Sequence, residues 1–149
     1  MKKGFTLIEI LISIGVISVL AAIAVFNFGN TRTQKILHIT ANNIVFALEE
    51  SKSNALAGKN GENQGIYISS DSYTQFGGST YSEGESGNVK TTIDSNISLS
   101  TTASSNSIIF ARISGDVSAV STTTVSITSD PTTKIEIVVG TLGDITVIE

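Results

Sequence analysis

The sequence predicts an α+β protein, in which a long N-terminal α-helix packs on a small antiparallel β-sheet head. Two observations lead to this prediction. From residue 5 to residue 57 the chain is first continuously apolar and then apolar at every third or fourth position, as in a helix. After Gly61 apolar residues alternate with polar ones, as in strands. The predicted head therefore occupies residues 58–149.

Residues 5–26 form the apolar half of the predicted helix. Such a helix would be about 33 Å long, which matches a bilayer hydrocarbon core of about 30 Å. Lys2 and Lys3 precede it, and basic residues favour the cytoplasmic side of a membrane. We therefore expect a transmembrane segment with the N-terminus in the cytoplasm and the head outside it.

Glu9 lies inside this apolar segment. A carboxylate there costs about 2 to 3 kcal/mol on insertion scales, so Glu9 needs a polar partner. One interpretation is that the side chain reaches the lipid headgroups, since it is one turn from the cytoplasmic end. The other is that cleavage between Gly4 and Phe5 creates a new ammonium group four residues before Glu9.

The run KKGFTLIEILIS, from Lys2 to Ser13, resembles the class III signal of type IV pilins and type II secretion pseudopilins. Those signals have a basic leader that ends in Gly, then Phe as the first mature residue and Glu as the fifth. The resemblance implies a pilin-like fold and a leader peptide at residues 1–4. It also implies that a prepilin peptidase cleaves after Gly4 and N-methylates Phe5.

The same resemblance implies the partners of the chain and its location. Residues 5–26 would hold the subunit in the inner membrane and then, with help from an inner-membrane assembly platform, pack against other pilin or pseudopilin subunits. In that filament Glu9 would pair with the N-terminal amine of a neighbouring subunit. The head would lie outside the cytoplasm, and the product would be an extracytoplasmic filament.

A conventional secretory signal is the alternative. Ala22-Ile23-Ala24 follows an apolar run and resembles a signal peptidase site. Cleavage there would release a chain beginning at Val25. Glu9 within the run, the length of the run and the helical pattern after Thr31 argue against this interpretation.

Residues 27–57 continue the helix with an amphipathic pattern. Apolar or small residues recur at alternating spacings of four and three, which places them on one face: Leu37, Ala41, Ile44, Leu48, Ser51 and Ala55. Gly58 is the expected end of the helix. Asn27, Gly29 and Asn30 mark the weakest point of the helix, although the proline that pilins often have near Phe26 is absent.

The head is predicted to be a mostly antiparallel β-meander, one face of which covers the helix. Its predicted strands, bounded by turn residues, are 64–70, 73–76, 89–93, 97–100, 107–113, 117–120, 124–128, 134–139 and 145–148. Asp71–Asn88 is mostly loop-like. The segments QGIYIS (64–69) and SIIFARISGDV (107–117) resemble those of minor pilins and pseudopilins of the GspH/FimT type.

Nothing in the sequence indicates catalysis or a cofactor. The chain has no Cys and one His, and it has no nucleophile, phosphate-binding or metalloprotease motif. His38 has no second ligand in view, and the Asp residues stand in turn contexts, so we predict no metal site. One or two of these carboxylates could bind Ca²⁺ with backbone carbonyls, but no dense cluster of ligands indicates it. The net charge is −4, which does not support nucleic-acid binding.

Two classes of function remain open. The first is a structural subunit, a minor pilin or pseudopilin that assembles through Glu9 and the N-terminal helix. The second is a membrane-tethered or secreted binding module that recognises a ligand through the loop Asp71–Asn88.

Overall fold

The computed structural model describes residues 6–149, except for the side chains of residues 23–30. Helix α1 spans Leu7–Leu56, and the backbone remains helical through residues 27–30, the predicted weakest point. Gly58 follows the helix with φ 65°, a left-handed conformation that glycine adopts without a Cβ clash. Its N–H donates to the Ala55 carbonyl at 2.9 Å. The helix therefore ends where Gly58 predicts.

The predicted apolar face of α1 is buried. All six residues of the stripe are at most 3% exposed: Leu37, Ala41, Ile44, Leu48, Ser51 and Ala55. The spacing of four and three thus identified the face of α1 that packs on the head.

Eight strands follow α1: β1 Gln64–Ile68, β2 Ser72–Gly77, β3 Val89–Thr92, β4 Ile97–Thr101, β5 Ser107–Phe110, β6 Ser121–Ile127, β7 Asp130–Val139 and β8 Ile145–Ile148. The predicted strand at 117–120 is wrong, because Val117 donates to the Thr141 carbonyl and no ladder follows. The segment before it turns at Gly115, which has φ 72°.

The strands form two antiparallel sheets, with the orders β3-β2-β1-β5 and β4-β6-β7-β8. The α+β class is confirmed, but a continuous meander is not. β5 returns to pair with β1, with Tyr67 opposite Ser107, and β4 pairs with β6 instead of β3 or β5. Both exceptions are non-local pairings, which turn residues alone do not indicate.

A single hydrophobic core joins α1 to both sheets. From the first sheet it includes Ile66, Ile68 and Phe110, and from the second it includes Val125 and Ile137. Hydrogen bonds also connect α1 to the head. Gln75 Nε2 donates to the Ala47 carbonyl at 3.3 Å, and Lys52 Nζ donates to the Gly143 carbonyl at 2.9 Å.

The outer face of the first sheet is also covered, in part by the loop that follows β2. Tyr81 of this loop stacks on Tyr67 of β1, with ring centroids 4.1 Å apart and planes 7° apart. Phe76 meets Tyr81 edge-on at 5.5 Å and lies over Gly65, where an added Cβ would be 3.0 Å from the Phe76 ring. These aromatic contacts therefore hold Tyr81, within the predicted loop Asp71–Asn88, against the first sheet.

The chain divides after Gln34 into two compact units. The first contains the N-terminal part of α1. The second, Lys35–Glu149, contains the rest of α1 and the strands β1–β8.

Candidate assembly segment and head surface

Thr6 forms the N-terminal cap of α1 and positions Glu9 in its first turn. The Glu9 N–H donates to Thr6 Oγ1 at 3.4 Å and to the Thr6 carbonyl at 3.2 Å. The sequence Thr6-Leu7-Ile8-Glu9 matches the capping-box pattern, in which the Glu side chain would bond back to the cap N–H. That return bond is absent, so the capping box is only half formed.

No described residue hydrogen-bonds or ion-pairs with the Glu9 carboxylate, and Glu9 is exposed. The other polar side chains nearby are satisfied within the helix. Ser13 Oγ donates to the Glu9 carbonyl at 2.7 Å, and Ser18 Oγ donates to the Ile14 carbonyl at 2.8 Å. Such bonds to the preceding turn satisfy a hydroxyl without an external partner. Within the described part of the segment, the Glu9 carboxylate is therefore the polar group that still needs one.

The apolar residues around Glu9 are exposed on every side of the helix. Residues 6–22 are all exposed, and the large hydrophobic ones among them are Leu7, Ile8, Ile10, Leu11, Ile12, Ile14, Val16, Ile17, Val19 and Leu20. Soluble monomers rarely expose an apolar patch of more than a few hundred Å². The segment therefore has the surface of a helix that packs against something else.

The two residues of the predicted processing site, Gly4 and Phe5, lie outside the described residues. Among the residues that are described, no helix combines the length and the apolarity required to cross a membrane. The structure thus places Glu9 and its apolar surroundings on one helix, and it leaves the cleavage and methylation site as a prediction from sequence.

The single histidine, His38 of α1, lies beside Glu149. His38 Nδ1 is 3.4 Å from Glu149 Oε1, and both side chains are largely exposed. Within residues 6–149, no three His, Cys, Asp or Glu side chains converge as metal ligands would.

Two of the turn aspartates bond to nearby hydroxyls. A hydrogen bond from Ser72, with a further one from Ser69, holds the pKa of Asp71 below its usual value. Hydrogen bonds from Thr132 and Thr133 likewise lower the pKa of Asp130. Both carboxylates stabilise turns of their own chain.

Two clefts lined by described residues of α1 and the head were not predicted from the sequence. The larger, about 480 Å³, has charged walls that include Glu50, Lys59, Glu62 and Glu85. The smaller, about 320 Å³, is lined by tyrosines, serines, a threonine and Ile109. The residues of each cleft come from distant parts of the chain. In the sequence, the only sign of the smaller cleft is the high Ser and Thr content around two tyrosines.

The N-terminal segment matches a known family. Residues 1–25 match the family described as the prokaryotic N-terminal methylation motif. The chain therefore carries the N-methyl prepilin motif at its N-terminus. No curated protein sequence matches the chain.

Solved structures with a similar fold include a minor pseudopilin and a minor pilin. The minor pseudopilin EpsH from the type 2 secretion system of Vibrio cholerae superposes with a TM-score of 0.56 at 15% identity, over 75% of this chain and 95% of EpsH. The type IV minor pilin FimU of Pseudomonas aeruginosa superposes with a TM-score of 0.60 at 10% identity, over 76% of this chain and 88% of FimU. A second crystal form of FimU gives 0.59 at 11% identity, over 76% and 93%.

These similarities confirm the pilin-like fold.

Proposed function

We propose that this chain is a minor pilin or pseudopilin, a structural subunit of a type IV pilus or of a type II secretion pseudopilus. The observation that supports this most directly is the helical segment around Glu9. It exposes apolar side chains on all sides, and no described residue pairs with the Glu9 carboxylate. Both features suit a helix that is completed by other subunits.

The apolar surface explains two stages in the life of the subunit. Each Å² of apolar surface removed from water contributes about 25 cal/mol, so residues 5–26 are stable in a bilayer before assembly and among neighbouring helices afterwards. In this scheme the subunit crosses the inner membrane once, with its head outside the cytoplasm, and then enters an extracytoplasmic filament. Lys2 and Lys3 favour that orientation.

Processing prepares the Glu9 contact. A prepilin peptidase removes residues 1–4 and methylates the new amine of Phe5, and an inner-membrane assembly platform then inserts the subunit. The Glu9 carboxylate pairs with the N-terminal ammonium of a neighbouring subunit. In a surrounding of low dielectric this pairing offsets the desolvation of both charges and fixes the axial register of the helices.

The description of EpsH as a minor pseudopilin and of FimU as a minor pilin supports a minor rather than a shaft role. We propose a structural and not a catalytic role, with no cofactor. A conventional signal cleaved before Val25 is the alternative, and Glu9 within the apolar run argues against it.

The proposal is tested by Glu9→Gln and Glu9→Ala, with Ser18→Ala as the matched control on the same helix. Both Glu9 variants should remain in the membrane fraction but enter sheared filaments at least about tenfold less than the wild type, since the lost pairing is worth more than about 1.4 kcal/mol. Ser18→Ala should assemble normally. Filaments that contain Glu9→Gln at the wild-type level would contradict the proposed pairing.

Mass spectrometry of the mature chain tests the processing step separately. We expect an N-terminal Phe5 that carries one methyl group. A chain that begins at Val25 would instead identify a secreted protein and would overturn the proposed assembly route.

A further inference from the structure

The smaller cleft of the head lies on the outer face of the first sheet. Its floor comes from paired positions of β1 and β5, where Tyr67 is opposite Ser107, and Ile109 is opposite the neighbouring Gly65. One wall is the loop after β2, and the other is the turn Ser104–Asn106 before β5. The cleft is about 320 Å³, at the lower end of the range of about 300–1,000 Å³ for small-ligand sites.

The walls of this cleft are held in place before any ligand binds. The stacked pair Tyr67 and Tyr81 fixes the loop, and Phe76 supports Tyr81 from the side. On the opposite side, two hydrogen bonds hold the turn Ser104–Asn106: the Asn106 N–H donates to the Ala103 carbonyl at 3.1 Å, and Ser107 Oγ donates to the Ser105 carbonyl at 3.1 Å. A cleft with ordered walls loses little conformational entropy when a ligand binds.

The chemistry of the lining is neutral and rich in hydroxyl groups. Two tyrosines, five serines, one threonine and Ile109 line the cleft, and none carries a charge at neutral pH. No described residue hydrogen-bonds the hydroxyl groups of Tyr67, Thr80, Tyr81 or Ser118. Each free hydroxyl can both donate and accept a hydrogen bond.

The larger cleft differs in charge. It contains three carboxylates and an ammonium group. Both clefts have some polar atoms that are already paired: Gln75 Nε2 donates to Glu50 Oε2 at 3.0 Å in the larger one, and Asn63 Nδ2 donates to Ser79 Oγ at 3.1 Å in the smaller one. The smaller cleft is thus the one that offers neutral hydroxyl groups without a charged side chain beside them.

We propose that the smaller cleft, whose lining includes Tyr67 and Ser118, binds a short stretch of neutral oligosaccharide. A sugar presents hydroxyl groups that can pair with those of the cleft, and its C–H faces pack on aromatic and aliphatic side chains such as Tyr81 and Ile109. Phosphate, carboxylate or ammonium ligands need an opposite charge to offset their desolvation, and this lining has none. This site is additional to the proposed assembly role and does not depend on it.

Tyrosine fluorescence gives a direct assay, because the chain has three Tyr and no Trp. Tyr67 and Tyr81 line the cleft, whereas Tyr73 is buried in the core. The full chain would be purified in a zwitterionic detergent without a sugar headgroup. It would be titrated with cellotriose, maltotriose and tri-N-acetylchitotriose, and binding would be checked by saturation-transfer NMR of the sugar protons.

We expect at least one of these sugars to give a saturable change in fluorescence together with saturation transfer. Tyr81→Ala removes part of the aromatic wall and should weaken binding about tenfold. Ser118→Leu removes a free hydroxyl and fills the cleft, and it should weaken binding to a similar extent without touching the loop. Ser100→Leu, on the exposed side of β4, is the matched control and should bind as the wild type does.

Three results would overturn the proposal. One is the absence of saturable binding with all three sugars. Another is binding that Ser118→Leu and Ser100→Leu alter equally, because the sugar would then not occupy the cleft. The third is selective binding of a proline-rich peptide in the same titration, since the aromatic wall would then serve a peptide.

Discussion

Leu11 and Leu48 belong to the same helix, yet Leu11 is 62% exposed and Leu48 is fully buried. The segment that contains Leu11 has apolar residues on every side and no sheet of its own. The segment that contains Leu48 has one buried apolar stripe, which the two sheets of the head cover. Its exposed side is mostly polar, although it includes Ile39 and Phe46. The pattern around the helix axis therefore indicates where the partner comes from. A single stripe is covered by the same chain, and a fully apolar circumference is covered by lipid or other chains.

The carboxylates of the head and of the N-terminal segment differ in the same way. Asp130 in the head bonds to Thr132 and Thr133 beside it, whereas the Glu9 carboxylate has no partner among the described residues. Both are carboxylates, but only the one in the head is satisfied locally. This contrast is the physical basis for assigning assembly to the first segment and an independent fold to the head.

The largest effect should come from truncating the buried leucine. Leu48→Ala should lower the free energy of unfolding of the head by about 2–5 kcal/mol, because it leaves a cavity at the contact between α1 and the sheets. Leu11→Ala should change it by less than about 0.5 kcal/mol. Urea denaturation of the full chain in detergent, followed by tyrosine fluorescence, measures both. Equal losses would mean that residues 7–22 pack within the head.

Alanine substitutions at Gly65 and Gly15 test the same contrast between the head and the N-terminal segment. A Cβ added at Gly65 would lie 2.7 Å from the Ile108 carbonyl oxygen, so Gly65→Ala should destabilise the head by about 1–3 kcal/mol. Gly15 has no atom within 4 Å of its added Cβ, and Gly15→Ala should leave unfolding of the head unchanged. The same denaturation assay applies, and a stable Gly65→Ala variant would show that β1 and β5 can separate at no cost.

Ile113 is an exposed apolar residue of the head with φ 75°. A β-branched residue is strained in this conformation, and asparagine tolerates it better. Ile113→Asn should therefore raise the free energy of unfolding by about 0.5–1 kcal/mol. Val120→Asn, at an equally exposed valine whose φ is not positive, is the control and should give no gain. A loss of stability in Ile113→Asn would indicate that the exposed side chain is used in packing.

The smallest expected effect is on the stability of the head at low pH. Hydrogen bonds from Thr132 and Thr133 lower the pKa of Asp130 in the folded chain below 3.8. The carboxylate therefore contributes stability above about pH 4, and the contribution is lost as the pH falls through the folded-state pKa. Between about pH 5 and pH 3, the urea midpoint of Asp130→Asn should fall slightly less than that of the wild type. An identical fall in the two proteins would show that these hydrogen bonds do not stabilise the turn.

Sequence patterns predicted those parts of the fold that depend on local periodicity. The stripe from Leu37 to Ala55, the end of α1 at Gly58 and the class of the fold followed from spacing and turn chemistry alone. Strand β2 was only partly visible, because Ser72 and Thr74 are buried polar residues. Both faces of β2 are covered, so its sequence does not alternate as a half-exposed strand does.

The strand order and the clefts could not be predicted from the sequence. The pairing of Tyr67 with Ser107 and the stacking of Tyr67 on Tyr81 depend on which distant segments meet, and single-residue propensities contain no such information. The role of Glu9, by contrast, could be predicted because it does not depend on which distant segments meet. A carboxylate within an apolar run is costly wherever the chain folds, so its position alone indicated an external partner.

The return of β5 to β1 has a consequence for the order in which the molecule can form during synthesis. The apolar stripe of α1 is made early, but Val125, Ile135 and Ile137, which share its core, are made only after β1–β5. The first sheet is likewise incomplete until Phe110 has been made. Folding of the head must therefore wait until β7 has been made, and such non-local topologies fold more slowly than helical bundles. During that interval the stripe at Ile44 and Leu48 is as exposed as the segment around Glu9.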